Sequence, residues 1–386
     1  MAEPVPALEG EVELFATAAR GTEVALRDEL RSLRFFQPKA DRGGVRFNGT
    51  LRHAFEACLR SRIALRVLVP LGKGRADNER AYYDAAHALP LEAFVGPDQT
   101  LACSAVSRNS KLRHTGYLAQ LCKDAIVDRL RDRSGARPDV DRSDPDVAIF
   151  IHVKDDVASF FLDAAGRSLH ERGYRLAAGP APLKETLAAA MIRLSGWDGV
   201  SPLVDPMCGA GTIPIEADLF ARDVAPGIFR DRFGIERWAC VDATLRTAFE
   251  DARGAARARA APVSPAPIVG SDVDPRAIER AYDNARRASA TVRFETRALS
   301  DVRLPAGAFV VTNPPYGERL EEHEALLGEI RALARRSEAP SFAILFGQPL
   351  EEDALPARAR RMELWNGDLP CQLAIVPADR GDAPPA

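Results

Sequence analysis

The stretch Val310-Val311-Thr312-Asn313-Pro314-Pro315-Tyr316-Gly317 leaves its backbone few choices. Two valines and a threonine favour a buried strand. The prolines then stop it, because each lacks an N–H donor and each forces the residue before it into an extended conformation. Asn313 is therefore held just past a strand end, where open α/β sheets place their ligands. An amide oxygen, carbonyls with no competing N–H beside them, and an aromatic ring suit a flat base that carries an exocyclic amine. The carbonyls accept the amine hydrogens and the ring stacks on the base. On this reading Asn313, Pro314, Pro315 and Tyr316 line a pocket for a base. The plain alternative is a turn with a packed tyrosine.

Around that stretch strands alternate with helices. Apolar spacing predicts helices over residues 184–194, 211–221, 275–288 and 322–336. Strands are expected at 203–204, 268–269, 292–295, 308–312, 341–346 and 372–376. This alternation predicts a mostly parallel sheet covered on both faces. The charged, mostly helical segment 222–264 must loop out of it. Before Gly179-Pro180-Ala181-Pro182, which reads as a linker, the plan changes. Strands at 11–17, 45–47 and 63–71 with helices at 21–33 and 51–58 suggest a small α+β unit like half of a ferredoxin-like fold. Gly72-Lys73-Gly74 reads as a hinge. Beyond it lie helices at 80–88 and 116–133, a strand at 100–106, and strands 147–153 and 157–162 that turn at Lys154-Asp155-Asp156. The expected fold class is α/β: a Rossmann-like domain (177–386) preceded by an α+β module in two parts (1–75 and 76–176). The tail, 379–386, reads as disordered.

Asp205-Pro206-Met207-Cys208-Gly209-Ala210-Gly211-Thr212 follows the first strand of the later sheet and opens a helix. Glycines let the backbone approach a ligand, and free N–H groups at a helix start favour a carboxylate. Asp205 can receive an ammonium, so the loop suits the amino-acid end of S-adenosylmethionine. A NAD site is the rival, but Pro214 stands where the third fingerprint glycine belongs. No Gly-Lys-Ser/Thr follows, which excludes a P-loop. Asp272, in Gly270-Ser271-Asp272-Val273-Asp274-Pro275, ends the second strand as an acid that holds ribose hydroxyls. Asp274 before Pro275 reads as a helix N-cap. Asp301, after the third strand, can accept an adenine amine. Glycine loop, ribose acid and Asn-Pro-Pro-Tyr in that order point together to a methyltransferase. The base amine would meet the sulfonium methyl beside Asn313 and the Pro314 carbonyl.

Bulk properties narrow the partners. With 52 basic and 55 acidic residues in 386, the formal charge is −3. Nucleic-acid affinity must therefore come from a local patch. The interval 101–123 contains Arg108, Lys111, Arg113 and Lys123 with no acid, and is the candidate phosphate-contacting surface; an ordinary solvated loop is the alternative. Six cysteines show no CxxC pair and six histidines no metal-binding spacing, which argues for reduced thiols and no structural metal. No run approaches the roughly 20 apolar residues of a membrane span, and no apolar run at the start could be a signal peptide. A cytoplasmic protein is expected.

The chain also resembles a known family along nearly its whole length. The resemblance is carried by Leu14-Phe15-Ala16-Thr17-Ala18-Ala19-Arg20-Gly21, Lys123-Asp124-Ala125-Ile126-Val127-Asp128 and Arg137-Pro138-Asp139-Val140-Asp141-Arg142. It continues through Arg172-Gly173-Tyr174-Arg175, Lys184-Glu185-Thr186-Leu187-Ala188-Ala189-Ala190, Asp205 to Thr212, and Asn313-Pro314-Pro315-Tyr316-Gly317-Glu318-Arg319-Leu320. These segments resemble the THUMP-domain class I RNA methyltransferases, and among them the bacterial large-subunit rRNA guanine-N2 enzymes. The resemblance implies a ferredoxin-like plus THUMP module that grips RNA, and a Rossmann-like domain that methylates guanine N2, in 23S rRNA or an assembling large subunit, with S-adenosylmethionine. It places Asp205, Met207, Cys208, Gly209, Ala210, Gly211, Thr212, Asp272, Asp301 and Asn313 on the cofactor. Some members carry a second methyltransferase domain; this chain stops soon after one sheet, so that second activity is expected to be absent. The alternatives are a tRNA guanine-N2 enzyme, a DNA adenine-N6 enzyme that shares the Asn-Pro-Pro-Tyr chemistry, and a non-catalytic assembly factor.

Overall fold

The computed structural model describes residues 10–135, 138–175, 182–315, 320–335, 341–347 and 358–377. Tyr316, Gly317 to Arg319, the linker residues 179–181 and the tail 379–386 lie outside them. Packing divides the chain into two compact units. One comprises Met1–Ala18, Arg27–Leu169 and Arg230–Ala255; the other Ala19–Leu26, His170–Phe229 and Ala256–Ala386.

In the first unit the strands β1 (Val12–Thr17), β2 (Phe36–Asp41), β3 (Gly44–Gly49), β4 (Arg66–Arg75), β5 (Thr100–Arg108), β6 (Asp139–Val140), β7 (Val147–Lys154) and β8 (Val157–Asp163) form one eight-stranded sheet, ordered β2-β3-β1-β4-β8-β7-β5-β6. The expected hinge is therefore no hinge. Gly72, Lys73 and Gly74 lie inside β4, opposite Phe160, Ser159 and Ala158 of β8. Bare glycines are needed here because the helix Glu79–His87 and the residues just after it press on the strand. A Cβ at Gly74 would stand 2.3 Å from the Ala85 Cβ, and one at Gly72 would stand 2.9 Å from Leu89. What reads as flexibility in the sequence is close packing. Strand β2 was not legible, because Pro38 and an irregular register between Phe36 and Lys39 break its pattern; proline confines such a strand to a sheet edge. The turn at Asp155-Asp156 is the expected hairpin, with both residues at positive φ (51° and 61°), as a tight two-residue loop requires.

The segment 222–264 does leave the later sheet, and its middle part, Arg230–Ala255, packs within the first unit. Aromatic anchors explain this. Phe249 stacks on Phe55 from the helix Leu51–Arg60, with centroids 4.2 Å apart and planes at 11°, and Phe233 meets the same ring edge-on at 5.5 Å. Trp238, fully buried, packs edge-on against Phe94. Arg253 lies over Phe55 and Phe233, and pairs with Glu236 at 2.7 Å.

The second unit contains β9 (Leu203–Asp205), β10 (Ile268–Asp272), β11 (Arg293–Thr296), β12 (Phe309–Thr312), β13 (Ser341–Phe346), β14 (Arg360–Asn366) and β15 (Leu369–Val376) in the order β11-β10-β9-β12-β13-β15-β14. The first five pair in parallel; β15 runs antiparallel to β13 and to β14. Successive residues feed opposite cores, as the two-residue strand period demands. Leu203, Val311, Ala343 and Leu345 join one cluster with Leu187, Met191 and Ile215, whereas Val204, Val310, Phe342 and Ile344 join another with Leu327 and Ile330. Both faces are thus covered, as expected for central parallel strands. The order reverses at β9, which lies between β10 and β12. A crevice therefore opens at the carboxyl ends of β9 and β12, the place where doubly wound sheets bind ligands.

Candidate active site

Four of the expected site segments come together at this edge. Asp205 is the last residue of β9, level with Gly270 of β10, and Asp272 ends β10. Asn313 follows the last residue of β12 directly. Asp301 closes a short 3-10 turn (Leu299–Asp301) after β11 and is exposed. The folding of the glycine loop is local. Gly209 and Gly211 take positive φ (52° and 82°), and the Gly211 amide closes a turn onto the Cys208 carbonyl at 2.8 Å. The helix Thr212–Ala221 then begins with Gly211 as its N-cap residue. From the helix Pro275–Arg287, Asn284 Nδ2 donates to the Ala210 carbonyl at 3.0 Å.

Two bonds stitch the loop to β10. The Cys208 amide donates to the Ser271 carbonyl at 2.8 Å, and the Gly209 amide to Asp272 Oδ2 at 2.9 Å. The other oxygen of Asp272 accepts the Asp274 amide at 2.9 Å. Asp274 is itself the N-cap of the following helix and accepts the Arg276 amide, with Pro275 in the first turn. Gly270 is bare for a packing reason: a Cβ there would stand 2.7 Å from the Phe294 ring and 3.1 Å from the Cys208 Cβ. Gly209 differs, since no atom lies within 4 Å of where its Cβ would be. Open space in front of a positive-φ glycine at a helix start is what a bound small molecule needs.

Asp205 is 1% exposed, and its Oδ1 accepts the Met207 amide at 3.2 Å. Burial pushes its carboxyl up to about 7 against the Thr312 hydroxyl and the Met207 amide, which lower it, with the Asp272 carboxylate adding a smaller rise. A cation brought against this group would favour its ionised form. Cys208 is buried, and burial raises its thiol well above the ordinary range, so it packs rather than reacts. At the other wall Asn313 is half-buried, Pro314 buried and Pro315 exposed.

Sequence reading assigned no role to a buried charged network beneath the loop. Arg175 Nη2 donates to Thr212 Oγ1 at 2.6 Å and to the Leu183 carbonyl at 2.9 Å, and its Nε lies 3.2 Å from Glu185 Oε1. Arg172 and Tyr174 both reach Glu216, at 3.5 and 3.0 Å. Burial raises Glu185 while Arg175 opposes the shift. Arg175 thus joins its own segment to Lys184–Ala190, through Glu185, and to Thr212, the first residue of the loop's own helix.

The basic interval looks different in space. Lys111 pairs with Asp156 at 3.7 Å, Lys123 with Asp124, and Arg113 Nε donates to the Ser110 carbonyl. Arg108 is exposed at the end of β5. The acid beside Lys111 arrives from the β7–β8 turn, and that beside Lys123 from the next residue in the chain. All six cysteines are free. Among the described residues no group of three His, Cys, Asp or Glu side chains is placed to hold a metal, and no helix is long and apolar enough to cross a membrane.

Comparison with known proteins agrees with this geometry. Family models match in chain order: an RlmL ferredoxin-like domain over residues 13–68, a THUMP domain over 76–163 and an RMKL-like methyltransferase domain over 172–337. Similar curated proteins include the ribosomal RNA large subunit methyltransferases K/L of Methylococcus capsulatus (42% identical, 94% of this chain, 51% of that protein) and Syntrophotalea carbinolica (39%, 95% and 53%). The chain spans about half the length of these curated relatives. Among solved structures, SMU.472, a candidate methyltransferase complexed with SAH, is 30% identical with a TM-score of 0.83 over 97% of this chain and 100% of that one. A Listeria monocytogenes protein described as an N6-adenine-specific DNA methylase is 32% identical with a TM-score of 0.82 over 96% and 97%. Fold and site thus define a class I methyltransferase domain. The chain belongs to the THUMP-domain methyltransferases that carry an amino-terminal ferredoxin-like domain.

Proposed function

We propose that this chain transfers a methyl group from S-adenosylmethionine to the exocyclic N2 of a guanosine in RNA, that the RNA is 23S rRNA, free or in an assembling large subunit, and that it acts in the cytoplasm. One observation carries the reading: the glycine loop, clamped to Asp272 through the Gly209 amide, opens at the same carboxyl edge of the sheet as Asn313. The names of the curated relatives support rRNA as the polymer. When bound, S-adenosylmethionine supplies a sulfonium-activated methyl group. Met207 to Thr212 would bracket its amino-acid end, with Asp205 beneath the loop favouring the ammonium. Asp272 would take the ribose hydroxyls on the lone pairs its two amide bonds leave open, and Asp301 the adenine amine.

The chemistry asks little of acids or bases. A guanine amine is conjugated into its ring and is a weak nucleophile. Asn313 Oδ1 and the Pro314 carbonyl would accept its hydrogens, orient it, and stabilise the positive charge that grows on nitrogen. Tyr316 would stack on the ring. The C–N bond forms as the C–S bond breaks, and the proton leaves to water. A base in this pocket must be unpaired or flipped. Arg108, Lys111, Arg113 and Lys123 remain a proposed RNA contact, and 1–75, 76–176 and 177–386 the proposed domain limits. Labelled S-adenosylmethionine offered with unmodified 23S rRNA, tRNA and duplex DNA tests the reading. N2-methylguanosine in 23S rRNA supports it. N6-methyladenine in DNA would replace it with the activity named for the Listeria relative, and label in none would favour an assembly role.

A further inference from the structure

A cavity of about 290 Å³ lies within the first unit, between the loop after β8, the turn before β7 and the docked segment that starts at Arg230. Arg167, Arg230, Arg232 and Arg237 line it, with Asp144 and Asp231. Two of the arginines hold its walls. Arg230 is buried and donates to the carbonyls of Ala165, Arg167 and Ser168 at 3.1–3.3 Å, so its positive charge meets dipoles there. Arg237 bonds Asp144 at 2.7 Å and the Asp144 and Pro145 carbonyls at 3.0 and 3.2 Å. The remaining two, Arg167 and Arg232, are exposed at the mouth. The Arg237 bond, with Arg167 and Arg232 adding to it, holds Asp144 below the ordinary carboxylate range, so the three guanidinium groups share one locality. Four cations face two carboxylates in a chain whose net charge is −3.

The walls are fixed by backbone contact. A Cβ on Gly234 would stand 2.9 Å from Gly166, and one on Gly166, at φ 74°, would stand 3.1 Å from Gly234. The Ile235 amide donates to the Ala164 carbonyl at 3.0 Å. A segment carried between α-helix and strand of the methyltransferase domain thus completes a basic cleft in the other unit.

We propose that this cleft binds the phosphodiester backbone of the RNA substrate, with Arg167 and Arg232 as the phosphate-contacting side chains. Planar, always-charged guanidinium groups match phosphate bidentately. Arg167 and Arg232 act on Asp144 only at longer range, its carboxylate being already bonded to Arg237, whereas Lys111 and Lys123 are themselves paired with aspartates. The inference rests on RNA being the substrate.

Filter binding of the full chain to an unmodified 23S rRNA transcript, and to poly(U), across a salt series tests it. Arg167→Gln with Arg232→Gln should lower the slope of log affinity against log salt by about 1.5, since each lost phosphate contact removes roughly 0.7–0.9. The loss should appear on both RNAs, and Arg167→Lys with Arg232→Lys should restore most of it. A parent that binds RNA beside an Arg167→Gln, Arg232→Gln variant of unchanged slope overturns the cleft and leaves the substrate class standing. A parent that binds neither RNA overturns both.

Discussion

The backbone amide of Gly209 donates to the carboxylate of Asp272 at 2.9 Å, across 63 residues of sequence. That bond ties the loop expected to face one end of the methyl donor to the acid expected to hold the other. Each of the two therefore positions the other.

Asp272→Ala should loosen the loop and remove the ribose acceptor in one step. A hydrogen bond to a charged group is worth about 1.5–3 kcal/mol, so affinity for S-adenosylhomocysteine is expected to fall at least tenfold in calorimetry. An affinity equal to the parent's would remove Asp272 from the cofactor site.

The two glycines near it should respond in opposite ways. Gly270→Ala drives a methyl into Phe294 and Cys208, and overpacking of that kind costs about 1–3 kcal/mol; the urea midpoint should drop. Gly209→Ala meets open space and is opposed only by its positive φ, about 1–2 kcal/mol, so its main effect should be on ligand affinity.

Asp205 makes stability depend on pH. Its folded carboxyl titrates near 7 because it is buried, while in the unfolded chain it titrates near 4. Between these values the folded state binds the extra proton, so this group's contribution falls as pH rises from about 4 to 7 and is flat above. Asp205→Asn should abolish the slope. Ligand-free parent and variant compared by thermal melting should diverge in the variant's favour across that window, by at most about 1.4 kcal/mol per pH unit. Parallel pH profiles would show that Asp205 is ionised in the folded protein.

Phe249 tests where the excursion belongs. Its ring stacks on Phe55 in the first unit, and truncating a buried phenylalanine costs about 3–5 kcal/mol. Phe249→Ala should speed hydrogen exchange in β1 to β4 and spare β9 to β13. Loss of protection confined to the later sheet would contradict the division into units.

Much of this was written in local chemistry. The period of two in Val310-Val311 and Leu203-Val204, the glycines after β9 and the prolines after β12 placed the crevice without help from distant contacts. The failures are long-range. Gly72 and Gly74 look like a hinge until Ala85 and Leu89 are seen against them. The excursion reads as a charged insertion because Phe233, Trp238 and Phe249 are sparse in sequence and meet their partners only in space. The acid that pairs with Lys111, Asp156, comes from the β7–β8 turn, 45 residues away. One miss was avoidable: Asn366-Gly367-Asp368 between β14 and β15, with Gly367 at φ 68°, is a strong two-residue hairpin signal.

Single-turnover methyl transfer by Asn313→Ala, measured beside its affinity for S-adenosylmethionine, tests the central claim most directly. If Asn313 orients the base amine and stabilises the charge that forms on it, transfer should slow by about a hundredfold, near 2.7 kcal/mol, while cofactor affinity stays within about twofold of the parent. Transfer at the parent's rate would show that the edge between β9 and β12 is not where the base reacts.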